Sequence, residues 1–262
     1  MAAKITRIAT AAGIAAAALI SACGGGGGSS TPAATTPTTS SSPIPEGSYT
    51  GTLTGSKNSA FQLILLENGD MWGIYGSRPA TGFSLAGFAQ GTVVANNGSL
   101  TSSNARDFGF VPPQNASMSA IYNTTTKTIG GIFPIAQSTV NFTGTAEPLY
   151  VYDQLPSIAG AAGSWQMTSV LGEVFTINLA ATGPFSGTSD RGCSITGGVS
   201  PRASGKNVLN LAVSFGPAPC VLAGQTLNGI ALSTPLSGGL NQLTFEAIDA
   251  QRSVSFGAIG QR

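Results

Sequence analysis

Phe61-Gln62-Leu63-Ile64-Leu65-Leu66-Glu67-Asn68-Gly69-Asp70-Met71-Trp72-Gly73-Ile74-Tyr75 decides the fold class. Two short apolar runs flank Asn68-Gly69, and Asn-Gly in that position is the strongest short hairpin signal, because both central residues of a type I′ turn need positive φ. The stretch reads as two strands and a tight turn. Asn97-Gly98 repeats the device between residues 92–95 and 100–102. Working outward, strands are expected at 47–55, 60–67, 70–77, 82–94, 99–109, 115–123, 128–135 and 138–146, eight in all with no helix between them.

The second half repeats the first. Phe175-Thr176-Ile177-Asn178-Leu179, then Gly183, Phe185 and Gly187, answers Phe61 to Leu65, Gly69, Met71 and Gly73 at an offset of 114, and Val254-Ser255-Phe256 answers Val140-Asn141-Phe142 at the same offset. Gly163-Ser164-Trp165 answers Gly47-Ser48-Tyr49 at 116, as a first hairpin two residues shorter in the second copy would give. This is a tandem duplication jointed near 147–158, where Pro148 and Pro156 break the pattern. Eight strands joined by short turns form an up-and-down meander, and closing it removes exposed edges. The expected fold is all-β: two tandem eight-stranded antiparallel meander barrels, at 46–147 and 158–262, with a two-sheet sandwich as the alternative. An eight-stranded barrel is filled by its side chains or just holds one small ligand.

Composition narrows the function. Histidine is absent, which removes the commonest general base, the Ser-His and Cys-His nucleophile pairs and the usual catalytic zinc ligands. Ser-x-x-Lys spacing is missing, and Gly82-Phe83-Ser84-Leu85-Ala86 departs from a nucleophile elbow at its last position. The reading is a non-enzymatic protein without cofactor or metal. Membrane-spanning strands are disfavoured, since these are short for spans of about 10 residues.

At the N-terminus, Lys4 and Arg7 precede an uncharged apolar run over 8–20, the layout of an export signal. Ile20-Ser21-Ala22-Cys23 resembles a bacterial lipobox, which implies cleavage of residues 1–22 and lipidation of Cys23. Cleavage leaves 240 of the 262 residues and takes two basic residues away, so 9 face 10 acidic ones and the net charge becomes −1. No electrostatic case for nucleic acid survives. Residues 23–45, opening with Gly24 to Gly28, form a Gly/Ser/Thr/Pro tether expected to be disordered, with a reach of roughly 25 Å.

The Cys23-Gly24 start and polar tether resemble Gram-negative surface lipoproteins, including the transferrin-binding-protein-like group whose members carry eight-stranded barrels. The whole chain is similar to proteobacterial outer-membrane lipoproteins with duplicated small barrels, and Gly24 resembles the outer-membrane sorting choice. Phe185-Ser186-Gly187 followed by Cys193 and Cys220 resembles the layout of META-domain barrels, with Ser194 where those usually have Asn. These resemblances imply the membrane as one partner, reached through the N-terminal lipid, and an envelope or host protein as the other candidate partner; they imply no activity.

Once Cys23 is acylated, Cys193 and Cys220 remain and suggest one disulfide. Closing that loop would stabilise the second barrel by about 3 to 4 kcal/mol. Trp72 and Trp165 are candidate ligand contacts if a barrel carries a small apolar molecule, the alternative function, and plain core otherwise. Arg191 and Arg202, with Asp190 and Lys206, form the densest charge cluster and a candidate partner or anion contact. Replacing Cys23 by Ser is expected to release the protein from the membrane fraction; fractionation that finds wild type and variant distributed alike would remove the anchor.

Overall fold

The computed structural model describes residues 42–79, 82–135 and 138–262. The signal segment, Cys23 and the tether through residue 41 lie outside the described residues.

The first barrel is built from β1 (Gly47–Thr54), β2 (Ala60–Leu65), β3 (Asp70–Ser77), β4 (Ser84–Thr92), β5 (Val94–Asn96), β6 (Ser99–Asp107), β7 (Gln114–Asn123), β8 (Thr128–Ile135) and β9 (Ser138–Ala146). Apart from β4 and β5, which do not pair, each strand pairs antiparallel with the next; β1 pairs with β9, and β4 closes the wall on β6 through Ala89 opposite Asp107 and Gln90 opposite Arg106. Eight strands therefore make the wall. Short β5 is a hairpin arm on β6, splitting the single strand expected at 82–94 because the chain leaves the wall after Thr92. After residues 147–157 and the one-turn helix α1 (Ile158–Ala161), the second barrel runs β10 (Gly163–Ser169), β11 (Val174–Leu179), β12 (Pro184–Ser189), β13 (Ser194–Pro201), β14 (Leu209–Phe215), β15 (Thr226–Pro235), β16 (Asn241–Ile248) and β17 (Ser255–Gln261). It closes through β10 and β17. Closure in both copies excludes the sandwich.

The duplication holds at the level of register. Gly47 faces Leu65 and Tyr49 faces Leu63; Gly163 faces Leu179 and Trp165 faces Ile177, the same pairing after a two-residue shortening of the first hairpin. Phe61 and Phe142 meet edge to face with centroids 5.6 Å apart, and their counterparts Phe175 and Phe256 do so at 5.4 Å. Tyr49 donates its hydroxyl to the carbonyl of Pro45, while Trp165 donates its indole N–H to that of Ala161, both at 2.8 Å and both four residues back.

One turn form recurs. The Asn97-Gly98 hairpin has positive φ at both residues, as a type I′ turn requires. The expectation of the same turn at Asn68-Gly69 is corrected: only Gly69 has positive φ, and its N–H bonds the carbonyl of Leu66 while that of Leu66 bonds Asp70. The reason is loop length, since three residues between the paired ends favour a type I turn followed by a left-handed glycine. Ala180 to Pro184, around Gly183, uses the same bonds.

The two barrels share a third core. Ile64, Trp72, Ile74 and Phe88 point out of the first barrel and pack with Ile230, Leu232 and Ile259 on the outer face of the second. Polar bonds edge this seam: Gln242 Nε2 donates to Gln62 Oε1 at 2.7 Å, Gln261 Nε2 to the Phe83 carbonyl at 3.1 Å, and Arg252 Nη2 to the Gln90 carbonyl at 2.7 Å. Cys193 and Cys220 form a disulfide that ties the turn before β13 to the loop after β14, both cysteines belonging to the second core.

Glu246 of β16 sits in the seam, in the row between Ile230 and Gly257. Its residue is 2% exposed and its Oε2 has no protein partner. Burial pushes its carboxyl up to about 8. A carboxyl that holds its proton more tightly folded than unfolded favours folding at low pH, and that contribution is lost as pH rises from the ordinary glutamate range through about 8. Glu246→Gln is therefore expected to raise the thermal midpoint above about pH 8 and to leave it unchanged near about pH 4; parallel wild-type and variant midpoints across that range would discount Glu246.

Candidate functional site: the interior of the first barrel

Identical early registers give the two barrels comparable interiors, but their inward side chains differ in size. In the second, Trp165, Phe175, Phe185, Phe215, Phe245 and Phe256 are all buried in one cluster, with Phe185 5.3 Å from Phe245 and Phe215 5.2 Å from Phe256. In the first, Met71 stands where Phe185 stands in the second copy, and Ala105, Ala116 and Ala120 are among the buried core residues. A cavity of about 560 Å³ remains, lined by Phe61, Leu63, Met71, Gly73, Met118 and Phe142 among others. That volume falls within the range of about 300–1,000 Å³ typical of small-molecule sites. Gly55, Ser56 and Lys57, in the exposed loop between β1 and β2, stand at its rim together with Phe110.

Two groups make the lining polar at one place. Asp107, the last residue of β6, is 0% exposed. Its Oδ1 accepts a 2.6 Å hydrogen bond from the Tyr75 hydroxyl and a 2.8 Å bond from the Gly109 N–H. Its Oδ2 is buried with no partner in the protein. Burial drives the Asp107 carboxyl above the ordinary range, and the bonds from Tyr75 and Gly109 oppose that rise. Burial, reinforced by the neighbouring Asp107, drives the Tyr75 phenol far upward, so Tyr75 stays neutral and acts as the donor. Glycines make the slot: a Cβ on Gly87 would lie 2.3 Å from the Tyr75 hydroxyl, and one on Gly109 would lie 1.9 Å from it.

The residues singled out in the sequence lie elsewhere. Trp72, 6% exposed, faces away from the barrel interior into the seam, where it stacks near Phe88. Trp165 is part of the filled second core, with the Arg262 guanidinium 4.1 Å from its ring centroid. The charge cluster is divided. Arg202 pairs with Glu67 at 2.7 Å and Lys206 with Glu46 at 3.1 Å and Asp153 at 2.7 Å, bracing the two barrels. Desolvation works against ionisation of Glu67, yet its bonds to Arg202 and to its own backbone hold the carboxyl below the ordinary range. Arg191 stays on an exposed turn, and Asp190 accepts a bond from the Val174 N–H.

A smaller cavity of about 240 Å³ lies where the loop after β6 meets the end of the second barrel. Phe110, Val111, Leu171 and Val221 line it and are exposed, Val111 at 85%.

No protein-family model matches the chain, and a search of curated proteins finds no match. Among solved structures, the crystal structure of a mutant of the vaccine antigen transferrin binding protein B from Haemophilus parasuis Hp5 superposes on 82% of this chain and 75% of its own, at 7% identity and a TM-score of 0.27. A score that low transfers no function, and the reading that follows stands on the geometry of this chain.

Tyr75→Phe removes one of the two donors from a buried carboxylate. It is expected to destabilise the protein by about 1–3 kcal/mol. Chemical denaturation is the check, and an unchanged midpoint would show that the pair contributes nothing to the fold.

Proposed function

We propose that this protein is a lipid-anchored carrier of the outer membrane that holds a small, largely apolar molecule inside its first barrel. The observation that supports it is the contrast between duplicates: one interior is packed with aromatic side chains, and the other keeps about 560 Å³ open among apolar walls. An open chamber of that size with mostly apolar walls suits a small occupant. The second barrel then serves as a filled structural partner. Cys23 would attach the protein to the membrane, and a tether with a reach of roughly 25 Å would let the cavity stand clear of the headgroups. No enzymatic role is proposed, in keeping with a chain without histidine.

A second reading, contact with an envelope or host protein, is favoured by a specific surface. Phe110, Val111, Leu171 and Val221 expose apolar side chains around the smaller cavity. Such a patch suits a protein partner better than solvent.

Native mass spectrometry of the purified protein separates the two. A stoichiometric added mass that leaves on denaturation is expected for a carrier. A bare mass that also refuses apolar probes would overturn the carrier reading and leave the protein-partner surface.

A further inference from the structure

Asp107 is an unusual component of an apolar cavity. A buried carboxylate is costly unless it is paired or well hydrogen-bonded. Here Tyr75 and Gly109 satisfy one oxygen, and the other is buried without a partner in the protein. Among the described residues no cation pairs with Asp107, and the neighbouring Arg106 on β6 is directed instead to Asn115 and to the carbonyl of Arg252. The titratable groups lining the cavity are Lys57, Tyr75 and Asp107, and Lys57 sits on the exposed rim loop. The pocket thus offers one negative acceptor, held in place by two donors and two slot glycines, at the end of an apolar chamber.

We infer that the first barrel selects apolar molecules bearing a protonated amine, whose ammonium docks on the free Oδ2 of Asp107 while the apolar body fills the space beside Phe61, Met71 and Phe142. The inference rests on the carrier reading and narrows it. An ammonium supplies both things the site lacks, a donor for Oδ2 and a positive charge against a desolvated carboxylate, and charge-assisted bonds are stronger than neutral ones. A neutral alcohol supplies only the donor. A fatty acid supplies neither when ionised and would set two carboxylates against each other.

The test is calorimetric titration of the purified protein with dodecylamine, dodecanol and dodecanoate at neutral pH, each kept below its micelle-forming concentration. Dodecylamine is expected to bind at least about tenfold more tightly than dodecanol, with dodecanoate weakest. Asp107→Asn should bring amine and alcohol level. Acidifying the wild-type protein gives the same comparison without a substitution: the amine preference should vanish as Asp107 takes a proton, since the amine stays charged and Tyr75 neutral. Equal binding of amine and alcohol by wild type, tighter binding of dodecanoate, or a preference that survives Asp107→Asn would each overturn the inference while leaving a carrier of other apolar molecules. Binding of none of the three would remove the carrier reading, and this inference with it.

Discussion

Closing eight strands fixes the room inside. Strand number and stagger set the diameter, after which only the volume of the inward side chains decides whether the interior is solid. Both barrels in this protein answer to that constraint, with the same pairing from Tyr49 to Leu63 and from Trp165 to Ile177. They answer it differently. Phe185 against Phe245 and Phe215 against Phe256 pack the second interior, whereas the first, with Met71 in place of Phe185, stays open. The cavity walls forgo the dispersion contacts that a filled core would make. The Tyr75 and Asp107 pair lies in that incomplete interior, so the open volume and its buried carboxyl belong to the same divergence.

The sequence carried the fold because the signals for it are local. Period-two alternation, turn glycines and two offsets of 114 and 116 were enough to place the strands, and even the shortened hairpin shows in the register. The site was not legible for three separate reasons. On β6 the inward residues run Leu100, Ser102, Ala105, Asp107, and the irregularity between Ser102 and Ala105 breaks the alternation that would have marked Asp107 as inward. Trp72 lies in a stretch with apolar residues at both parities, the mark of a strand buried on two faces, and parity alone does not say which face is the barrel. Arg202 and Glu67 are 135 residues apart, so an ion pair that crosses between barrels left no trace in local charge spacing.

The seam is a mixed surface. Its centre is aromatic and aliphatic, its edge is a set of amides and ion pairs, and buried Glu246 sits within it with an oxygen unpaired. Ion pairs at a partly exposed edge contribute little to stability, but they set orientation, as Arg202 on Glu67 and Lys206 on Glu46 do across the joint. Apolar area at the centre supplies the adhesion. Residues Ser40–Arg262 accordingly form one compact unit, although each barrel closes on itself.

That outward apolar face has a bearing on descent. Once Ile64, Trp72, Ile74 and Phe88 had been recruited to cover a neighbour, the two copies could no longer be inherited singly. A lineage that lost either barrel would expose a greasy wall on the survivor and would have to restore polar residues at several positions together before it stayed soluble. The seam makes the two barrels halves of one object, since removing either would bare the apolar wall of the other.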